Sequence, residues 1–171
     1  MKYSNIVLTG IMGCGKTTIG KMLSEKLNMG FVDIDRFIEG KYGKIPDLFK
    51  KGENYFREIE HNAVLEVSDM EGFVIATGGG VVKREDNIAL LKRKGIVFFL
   101  DRPLDNILSD IKISNRPLLK EGTNKLIEIY HERYPLYTAT CDVHIKNAST
   151  PEKAVSDILG HWAELGDAIT D

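Results

Sequence analysis

One stretch constrains the fold of this chain more than any other: Gly10-Ile11-Met12-Gly13-Cys14-Gly15-Lys16-Thr17. It matches G-x-x-x-x-G-K-[ST], the pattern of a phosphate-binding loop. A short apolar run at residues 6–8 precedes it, and apolar residues at helical spacing follow it. Its glycines let successive N–H groups turn toward an anion, and the next helix directs its positive end there. The sequence therefore predicts a nucleotide-phosphate site in which Lys16 reaches the β- and γ-phosphates and the Thr17 hydroxyl binds Mg²⁺.

Five short apolar runs are typical of buried strands: Ile6–Leu8, Phe31–Ile34, Phe73–Ala76, Ile96–Leu100 and Val143–Ile145. Helical patterns lie between them, and this alternation predicts an α/β fold with a parallel sheet covered on both faces. Right-handed crossovers would place the loops after the strands along one edge of the sheet, where ligands bind. We therefore expect functional residues at the carboxyl ends of the strands.

Two aspartates, Asp33 and Asp35, stand at the end of the second predicted strand. Alternation along a strand would put both carboxylates on one face, with Ile34 on the other. Beside a phosphate loop, one carboxylate is suited to hold Mg²⁺ through water next to Thr17. The other is suited to hydrogen-bond a substrate hydroxyl or to accept its proton. The alternative is structural, because an aspartate at a strand end also caps the following helix.

A long helical segment over residues 55–67 carries Arg57 and Glu60 on one face. The spacing alone favours a surface ion pair of little energetic value. The functional alternative is an arginine that Glu60 holds and presents to a substrate carboxylate, which its planar fork binds through two oxygens. The third predicted strand ends in Gly78-Gly79-Gly80, where a ligand could approach the main chain closely and meet N–H donors, unless the run is a plain flexible turn.

Two further arginines are candidate cations in the second half of the chain. Arg116 lies in the stretch from residue 112 to residue 123, whose lack of periodicity predicts a mobile lid. A lid arginine would stabilise the charge of a transferring phosphoryl group; the alternative is an ordinary surface loop. Arg133 lies in a helix predicted over residues 126–139, where Pro135 predicts a kink or break. It could be a second cation for a substrate carboxylate, although a lone arginine more often faces solvent.

Composition excludes several classes of function. The net charge is −2, so no basic field indicates a nucleic-acid partner, and a few placed cations must hold any anionic substrate. The two cysteines, Cys14 and Cys141, are expected to be reduced, because a disulfide at Cys14 would distort the phosphate loop; this favours the cytosol. No apolar run is long enough for a signal peptide or a membrane span, and the tail from Gly166 is expected to fray.

Together these motifs resemble the shikimate kinases from residue 6 to about residue 160. The stretches that carry the resemblance are Gly10–Thr17, Asp33-Ile34-Asp35, Phe56-Arg57-Glu58-Ile59-Glu60, Gly78-Gly79-Gly80, Arg116-Pro117-Leu118-Leu119 and Arg133-Tyr134-Pro135-Leu136-Tyr137. The resemblance implies a P-loop, nucleoside-monophosphate-kinase-like fold with a five-stranded parallel sheet and a mobile lid. We expect a single kinase domain over residues 1–171, with its substrate-binding region at about 33–62 and its lid at about 111–124.

The resemblance also implies the reaction: ATP phosphorylates the 3-hydroxyl of shikimate, with Mg²⁺, on the chorismate route to aromatic amino acids. We expect a cytoplasmic monomer that binds neither nucleic acid nor a membrane. The implied catalytic residues are Lys16, Asp35 and Arg116. The implied ATP site comprises Gly13, Cys14, Gly15, Lys16, Thr17, Thr18, Arg116 and Pro151, with Thr17 and Asp33 at the metal. The implied shikimate site comprises Asp35, Arg57, Gly78, Gly79, Gly80 and Arg133.

The lid departs from the family pattern at one place. Many members carry an arginine near the adenine at the start of the lid, whereas residues 109–115 contain none and Lys112 is the nearest cation. Lysine lacks a planar face to stack on a base, so nucleotide affinity or selectivity is expected to differ. Two other functions stay open: a kinase for another hydroxy acid such as gluconate, and a nucleotide-binding regulatory module without turnover.

Overall fold

The structure, a computed structural model, describes residues 3–113 and 122–167. Its centre is a parallel sheet of β1 (Asn5–Thr9), β2 (Gly30–Asp33), β3 (Phe73–Ala76), β4 (Gly95–Asp101) and β5 (Val143–Lys146). The strand order is β2-β3-β1-β4-β5, so β1 lies between β3 and β4. This confirms the expected α/β fold with five parallel strands.

Helices lie between the strands and pack around the sheet. They are α1 (Lys16–Leu27), α2 (Ile34–Tyr42), α3 (Ile45–Lys50), α4 (Glu53–Ser68), α5 (Glu85–Lys92), α6 (Leu104–Ile113), α7 (Gly122–Thr140) and α8 (Pro151–Asp167), with a 3₁₀ turn at Val81–Lys83. Helix α1 packs against β3 and α8, and α4 packs against α2, α3 and α5. Among the helices described, none is both long and apolar enough to cross a membrane.

The burial of β1 and β4 explains why the sequence shows these strands as apolar runs. Every residue of β1 is buried, and so are the first six residues of β4. Strands covered on both faces need a continuous apolar run rather than an alternating one. The carboxyl ends of β1, β2, β3 and β4 then lie along one edge of the sheet, because all neighbouring strands are parallel.

The prediction that Asp33 and Asp35 share one face of a strand is wrong. Strand β2 ends at Asp33, whose Oδ1 accepts hydrogen bonds from the backbone N–H groups of Asp35 (3.1 Å) and Arg36 (3.3 Å). Asp33 therefore caps the N-terminus of α2, and Asp35 lies in the first helical turn. The cap ends the strand one residue earlier than the apolar run suggested.

Of the two outcomes predicted at Pro135, a break is wrong, because α7 is continuous from Gly122 to Thr140; a kink stays a prediction. The proline removes one hydrogen-bond donor, but the residues beside it are held by packing. Tyr137 is buried, and its ring stacks on Phe99 of β4 at a centroid distance of 5.1 Å. The ring of Tyr134 meets the same phenylalanine edge-on at 5.6 Å.

The ends of the predicted lid are helical. Helix α6 continues to Ile113 and α7 begins at Gly122, so both ends of the lid predicted from residue 112 to residue 123 belong to helices. Arg116 and the middle of the lid lie outside the described residues. Helix α8 reaches Asp167, one residue beyond the point where fraying was predicted, and residues 168–171 are outside the described part.

Candidate active site

The phosphate-loop sequence connects β1 to α1, as the motif requires. Gly13 and Gly15 adopt φ values of 79° and 98°, in the left-handed region that favours glycine. Gly15 is the N-cap of α1, and the first turn of that helix carries no acidic residue. The loop therefore delivers the unpaired N–H groups of a helix N-terminus to one point, which is a suitable place for a phosphate group.

Lys16 and Thr17 begin α1 and already contact the residues around the loop. The ammonium group of Lys16 donates to the carbonyl oxygens of Gly10 (2.7 Å) and Ile11 (3.1 Å). The hydroxyl of Thr17 donates to Asp33 Oδ2 at 2.8 Å. A lysine folded across the loop and a hydroxyl beside a carboxylate thus lie on neighbouring positions at the start of α1.

Thr17 and Asp33 are also the residues predicted to hold Mg²⁺. No group of three or more histidine, cysteine or acidic side chains in residues 3–110 and 122–165 could hold a metal ion. Magnesium in phosphate-transfer sites uses one or two protein oxygens together with phosphate oxygens and water. The Thr17 hydroxyl and the Asp33 carboxylate fit that kind of site, in which the nucleotide completes the coordination.

Asp35 lies two residues after Asp33, in the first turn of α2, and lines the neighbouring cavity together with Met12 of the phosphate loop. Burial raises the pKa of the Asp35 carboxyl, and the negative charge of Asp33 raises it further, while Lys16 opposes the shift. A carboxyl with a raised pKa is a stronger base once it is ionised. The location and the pKa shift together suit a group that accepts a proton or binds a hydroxyl.

Arg57 and Glu60 form a buried ion pair on α4, not the exposed surface pair that their spacing favours. Arg57 Nη1 lies 2.6 Å from Glu60 Oε2, and the side chains are only 15% and 1% exposed. Glu53 accepts from Nε and Nη2 of the same arginine, each at 3.4 Å. Burial raises the pKa of Glu60, and the nearby Arg57 charge opposes that shift. The guanidinium is therefore oriented by two carboxylates.

Charged side chains pack closely against the glycines that follow β3, and the sequence did not predict these contacts. A Cβ on Gly78 would lie 2.8 Å from Asp35 Oδ1 and 3.0 Å from Glu60 Oε1. A Cβ on Gly80 would lie 2.6 Å from Cζ of Arg57. Either substitution would displace a charged group, so glycine is needed here for the packing of the site even before a ligand enters.

Arg133 approaches the glycine run from α7. Its Nη1 lies 3.6 Å from the position that a Cβ on Gly79 would take. Its Nε is buried without a hydrogen-bond partner in the described part of the chain. One turn later, the hydroxyl of Tyr137 donates to the carbonyl oxygen of Gly79 at 2.5 Å, and burial raises the pKa of this tyrosine. A buried N–H without an acceptor is costly and indicates a place for a ligand oxygen.

These groups line one cavity of about 430 Å³. Its polar wall includes Asp35, Arg57, Glu60, Gly78, Gly79, Gly80 and Arg133, and its apolar wall includes Met12, Ile45, Phe49, Phe56 and Ile129. All the predicted substrate-binding residues therefore lie together, and Met12 belongs to the phosphate loop. The cavity suits a small ring that carries a carboxylate and hydroxyl groups.

The family model for shikimate kinase matches residues 12–163 of the chain. The chain belongs to the shikimate kinase family. Its members are ATP-dependent phosphotransferases, so the expected class of enzyme is confirmed.

Individual shikimate kinases are similar over nearly the whole chain. The shikimate kinase of Clostridium beijerinckii is 46% identical over 163 residues, which cover 95% of this chain and 94% of that protein. The structure of the Acinetobacter baumannii shikimate kinase in complex with shikimate has a TM-score of 0.85 and 34% identity, over 98% of this chain and 96% of that one. The Aquifex aeolicus enzyme gives 0.78 and 33%, over 98% and 99%. None of these likenesses favours the gluconate-kinase or regulatory-module alternatives.

The remaining predicted residues of this shikimate kinase lie outside the cavity. Cys14 is buried within the loop, Thr18 is exposed on α1, and Pro151 is exposed at the start of α8. The loop before Pro151 does meet the phosphate loop, because Asn147 Nδ2 donates to the carbonyl oxygen of Cys14 at 2.8 Å. The ATP-site roles of these residues stay predictions.

Sequence reasoning missed several residues at the site. Glu53 had a detectable signal, because it lies four positions before Arg57 and therefore on the same helix face. No sequence signal indicated Lys83. It lies in the 3₁₀ turn and pairs with Glu53 (2.8 Å) and with Glu132 of α7 (3.6 Å). Arg102 also had no sequence signal, and its contact with the phosphate loop appears only in the structure.

Proposed function

We propose that this shikimate kinase transfers the γ-phosphoryl group of ATP to the 3-hydroxyl of shikimate through the residues around its cavity. The observation that carries the proposal is the convergence of Arg57, Arg133 and Asp35 beside the phosphate loop. Shikimate is a small ring with one carboxylate and several hydroxyls, and two arginines, one carboxylate and exposed backbone donors correspond to it group by group. The products are shikimate 3-phosphate and ADP.

The nucleotide would bind at the phosphate loop. Backbone N–H groups of the loop and of the first turn of α1 would surround the phosphates, with Gly13, Cys14, Gly15, Lys16, Thr17 and Thr18 in the ATP site. Lys16 would exchange the carbonyls of Gly10 and Ile11 for phosphate oxygens. Magnesium held by Thr17 and Asp33 would neutralise phosphate charge. The adenine would lie beside the loop that ends at Pro151.

The shikimate carboxylate would bind between Arg57 and Arg133. The position of Arg57 is set by Glu53 and Glu60, so its planar fork needs little reorganisation to bind two oxygens. Arg133 would gain an acceptor for its buried Nε. The backbone of Gly78, Gly79 and Gly80 would lie alongside the ring.

Asp35 would bind the hydroxyl that attacks the γ-phosphorus and would take its proton. Its raised pKa favours that step, and Lys16 nearby would stabilise the charge on the phosphoryl oxygens. Phosphoryl transfer otherwise needs alignment and charge stabilisation more than covalent help. Arg116, as a lid cation, stays a prediction because it is outside the described residues.

A direct test is product formation by the purified protein with Mg-ATP. ADP should be released when shikimate is added and not when gluconate or a nucleoside monophosphate replaces it. Lys16→Ala should lower kcat by about 10²–10³-fold with the fold intact, since it removes charge stabilisation of the transition state. Lys26→Ala, on the last turn of the same helix, is the matched control. Equal turnover with gluconate would remove the proposed substrate.

A second test concerns Arg57. Arg57→Ala should weaken shikimate binding by roughly 2–5 kcal/mol, because a partner of a buried charge pair is lost. Isothermal titration with shikimate measures this, and circular dichroism checks the fold. Retention of wild-type affinity would contradict the proposed carboxylate site.

We also propose a cytoplasmic monomer. Both cysteines, Cys14 and Cys141, are free thiols, which fits a reducing compartment. Light scattering on the purified enzyme at assay concentration tests the oligomeric state.

A further inference from the structure

Arg102 reaches the phosphate loop from the end of β4. Its Nη1 donates to the carbonyl oxygen of Gly13 at 2.9 Å, and its Nη2 lies 2.7 Å from Asp110 Oδ2 on α6. The side chain is 25% exposed. One terminal nitrogen of the guanidinium therefore binds the loop, and the other is held by a carboxylate.

A second side chain holds the adjoining peptide of the same loop. Asn147 is buried and donates through Nδ2 to the carbonyl oxygen of Cys14 at 2.8 Å. Its own backbone N–H donates to the carbonyl oxygen of Asp101 at 2.8 Å. Asp101 precedes Arg102, so both contacts to the loop depend on the carboxyl end of β4.

The two contacts determine which way the loop peptides face. In a trans peptide the C=O and the next N–H point in opposite directions, so a carbonyl bound from outside leaves that N–H on the far side. The N–H of Cys14 is used in a turn to Ile11 at 3.2 Å, whereas the N–H of Gly15 lies opposite the carbonyl that Asn147 binds. Glycine allows several orientations of these peptides, so the outside bonds limit the loop to one of them.

We infer that Arg102 is a positioning residue of the nucleotide site: by binding the Gly13 carbonyl, it holds the phosphate loop in its binding conformation before ATP arrives. This inference rests on the proposed nucleotide site. When the loop is already ordered, less of the binding free energy is lost in ordering it as the phosphates bind. Both terminal nitrogens of Arg102 already have partners, so the residue acts through the loop. Its contribution to affinity should therefore depend on the phosphates of the ligand and not on the base.

The experiment compares Arg102→Met with the wild-type enzyme. Titration calorimetry with Mg²⁺ measures binding of ADP and of tripolyphosphate, which has phosphates and no base. Both affinities should fall about tenfold, the value of one charge-assisted hydrogen bond, and the KM for ATP should rise by the same factor. The KM for shikimate and the kcat at saturating ATP should stay within about twofold.

Three further variants make the result specific. Asp110→Asn should reproduce part of the loss, because the fork then lacks its fixed partner, and Arg102→Lys should restore less than half of it, because an ammonium lacks the fork. Arg84→Met is the matched control: this arginine also pairs with two carboxylates, Glu58 and Asp86, away from the phosphate loop. It should leave both affinities unchanged.

Two outcomes would overturn the inference. A loss for ADP with unchanged tripolyphosphate binding would show that Arg102 contacts the base, and no loss for either ligand would show that it does not act on the site. Lys16→Ala tests the underlying proposal separately, because it should abolish tripolyphosphate binding. Wild-type binding by that variant would mean that the phosphate site itself is wrong. Should Arg102→Met fail to fold, Asp110→Asn and Arg102→Lys carry the same comparison.

Discussion

The substitution Gly80→Ala offers a sharp test of how the cavity is built. Gly80 has φ −99°, outside the left-handed region that favours glycine, so the effect of alanine is expected to come from its added methyl group. The added methyl would lie 2.6 Å from Cζ of Arg57 and closer still to both terminal nitrogens. The perturbation is therefore a local displacement of one guanidinium group.

The size of the effect follows from the contact that must give way. The guanidinium has to retreat by about 1 Å to reach ordinary van der Waals separation. Its hydrogen bond to Glu60 is 2.6 Å long, and Glu60 is 1% exposed, so water cannot readily replace the lost partner. A hydrogen bond to a charged group contributes about 1.5–3 kcal/mol, which is our expected loss of unfolding free energy.

Shikimate binding should weaken by a similar amount, because Arg57 no longer presents its fork to the cavity. A loss of about 2 kcal/mol corresponds to a rise in KM of roughly thirtyfold. Steady-state assays of ADP release measure the KM for shikimate and for ATP, and urea denaturation measures stability. Gly160→Ala is the control, since a Cβ there meets nothing within 4 Å.

A double-mutant cycle decides whether the effect passes through Arg57. In the Arg57→Ala background there is no guanidinium to displace, so Gly80→Ala should add little further loss of shikimate affinity. Additive losses, or a Gly80→Ala enzyme whose KM for shikimate stays within twofold of wild type, would refute this account of the glycine run.

Three other substitutions test neighbouring features. Burial raises the pKa of Asp35, so the folded protein binds that proton more tightly than the unfolded chain, and ionisation lowers stability as the pH rises from about 3.8 through the folded pKa. Asp35→Asn should therefore melt higher than wild type at pH 7, though not at pH 3, while turnover falls; equal melting at pH 7 would contradict this. Tyr137→Phe leaves the Gly79 carbonyl without its donor and should cost about 1–2 kcal/mol in urea denaturation, with a higher KM for shikimate. Gly20→Ala places a Cβ 2.6 Å from Cε2 of Phe31 in the α1 packing and should cost about 1–3 kcal/mol of stability with unchanged KM values; an unchanged denaturation midpoint would argue against that packing.

The fold was largely predictable because its signals are local. Central strands that are buried on both faces need apolar runs, and the phosphate loop needs glycines at set positions before a helix. The boundary at Asp33 was not predictable in this way. It depends on which backbone N–H groups the carboxylate captures, and those groups belong to the next helix.

The sequence indicated several of the residues that line the cavity, but not how they are arranged. Spacing showed that Arg57 and Glu60 share a helix face, yet the pair is buried, and the guanidinium packs against Gly80, which is distant in sequence. Arg102 belongs to no motif, and its bond to Gly13 spans 89 positions. Contacts of that kind arise from the meeting of strand ends, which a linear pattern does not record.

The buried Nε of Arg133 has a consequence for inhibitor chemistry. A hydrocarbon that fills the cavity would leave this N–H without water or any other hydrogen-bond acceptor. An anionic isostere of a carboxylate, such as a tetrazole or sulfonate, would supply an acceptor. Neutral esters of otherwise well-fitting compounds should therefore be much poorer leads than the parent acids.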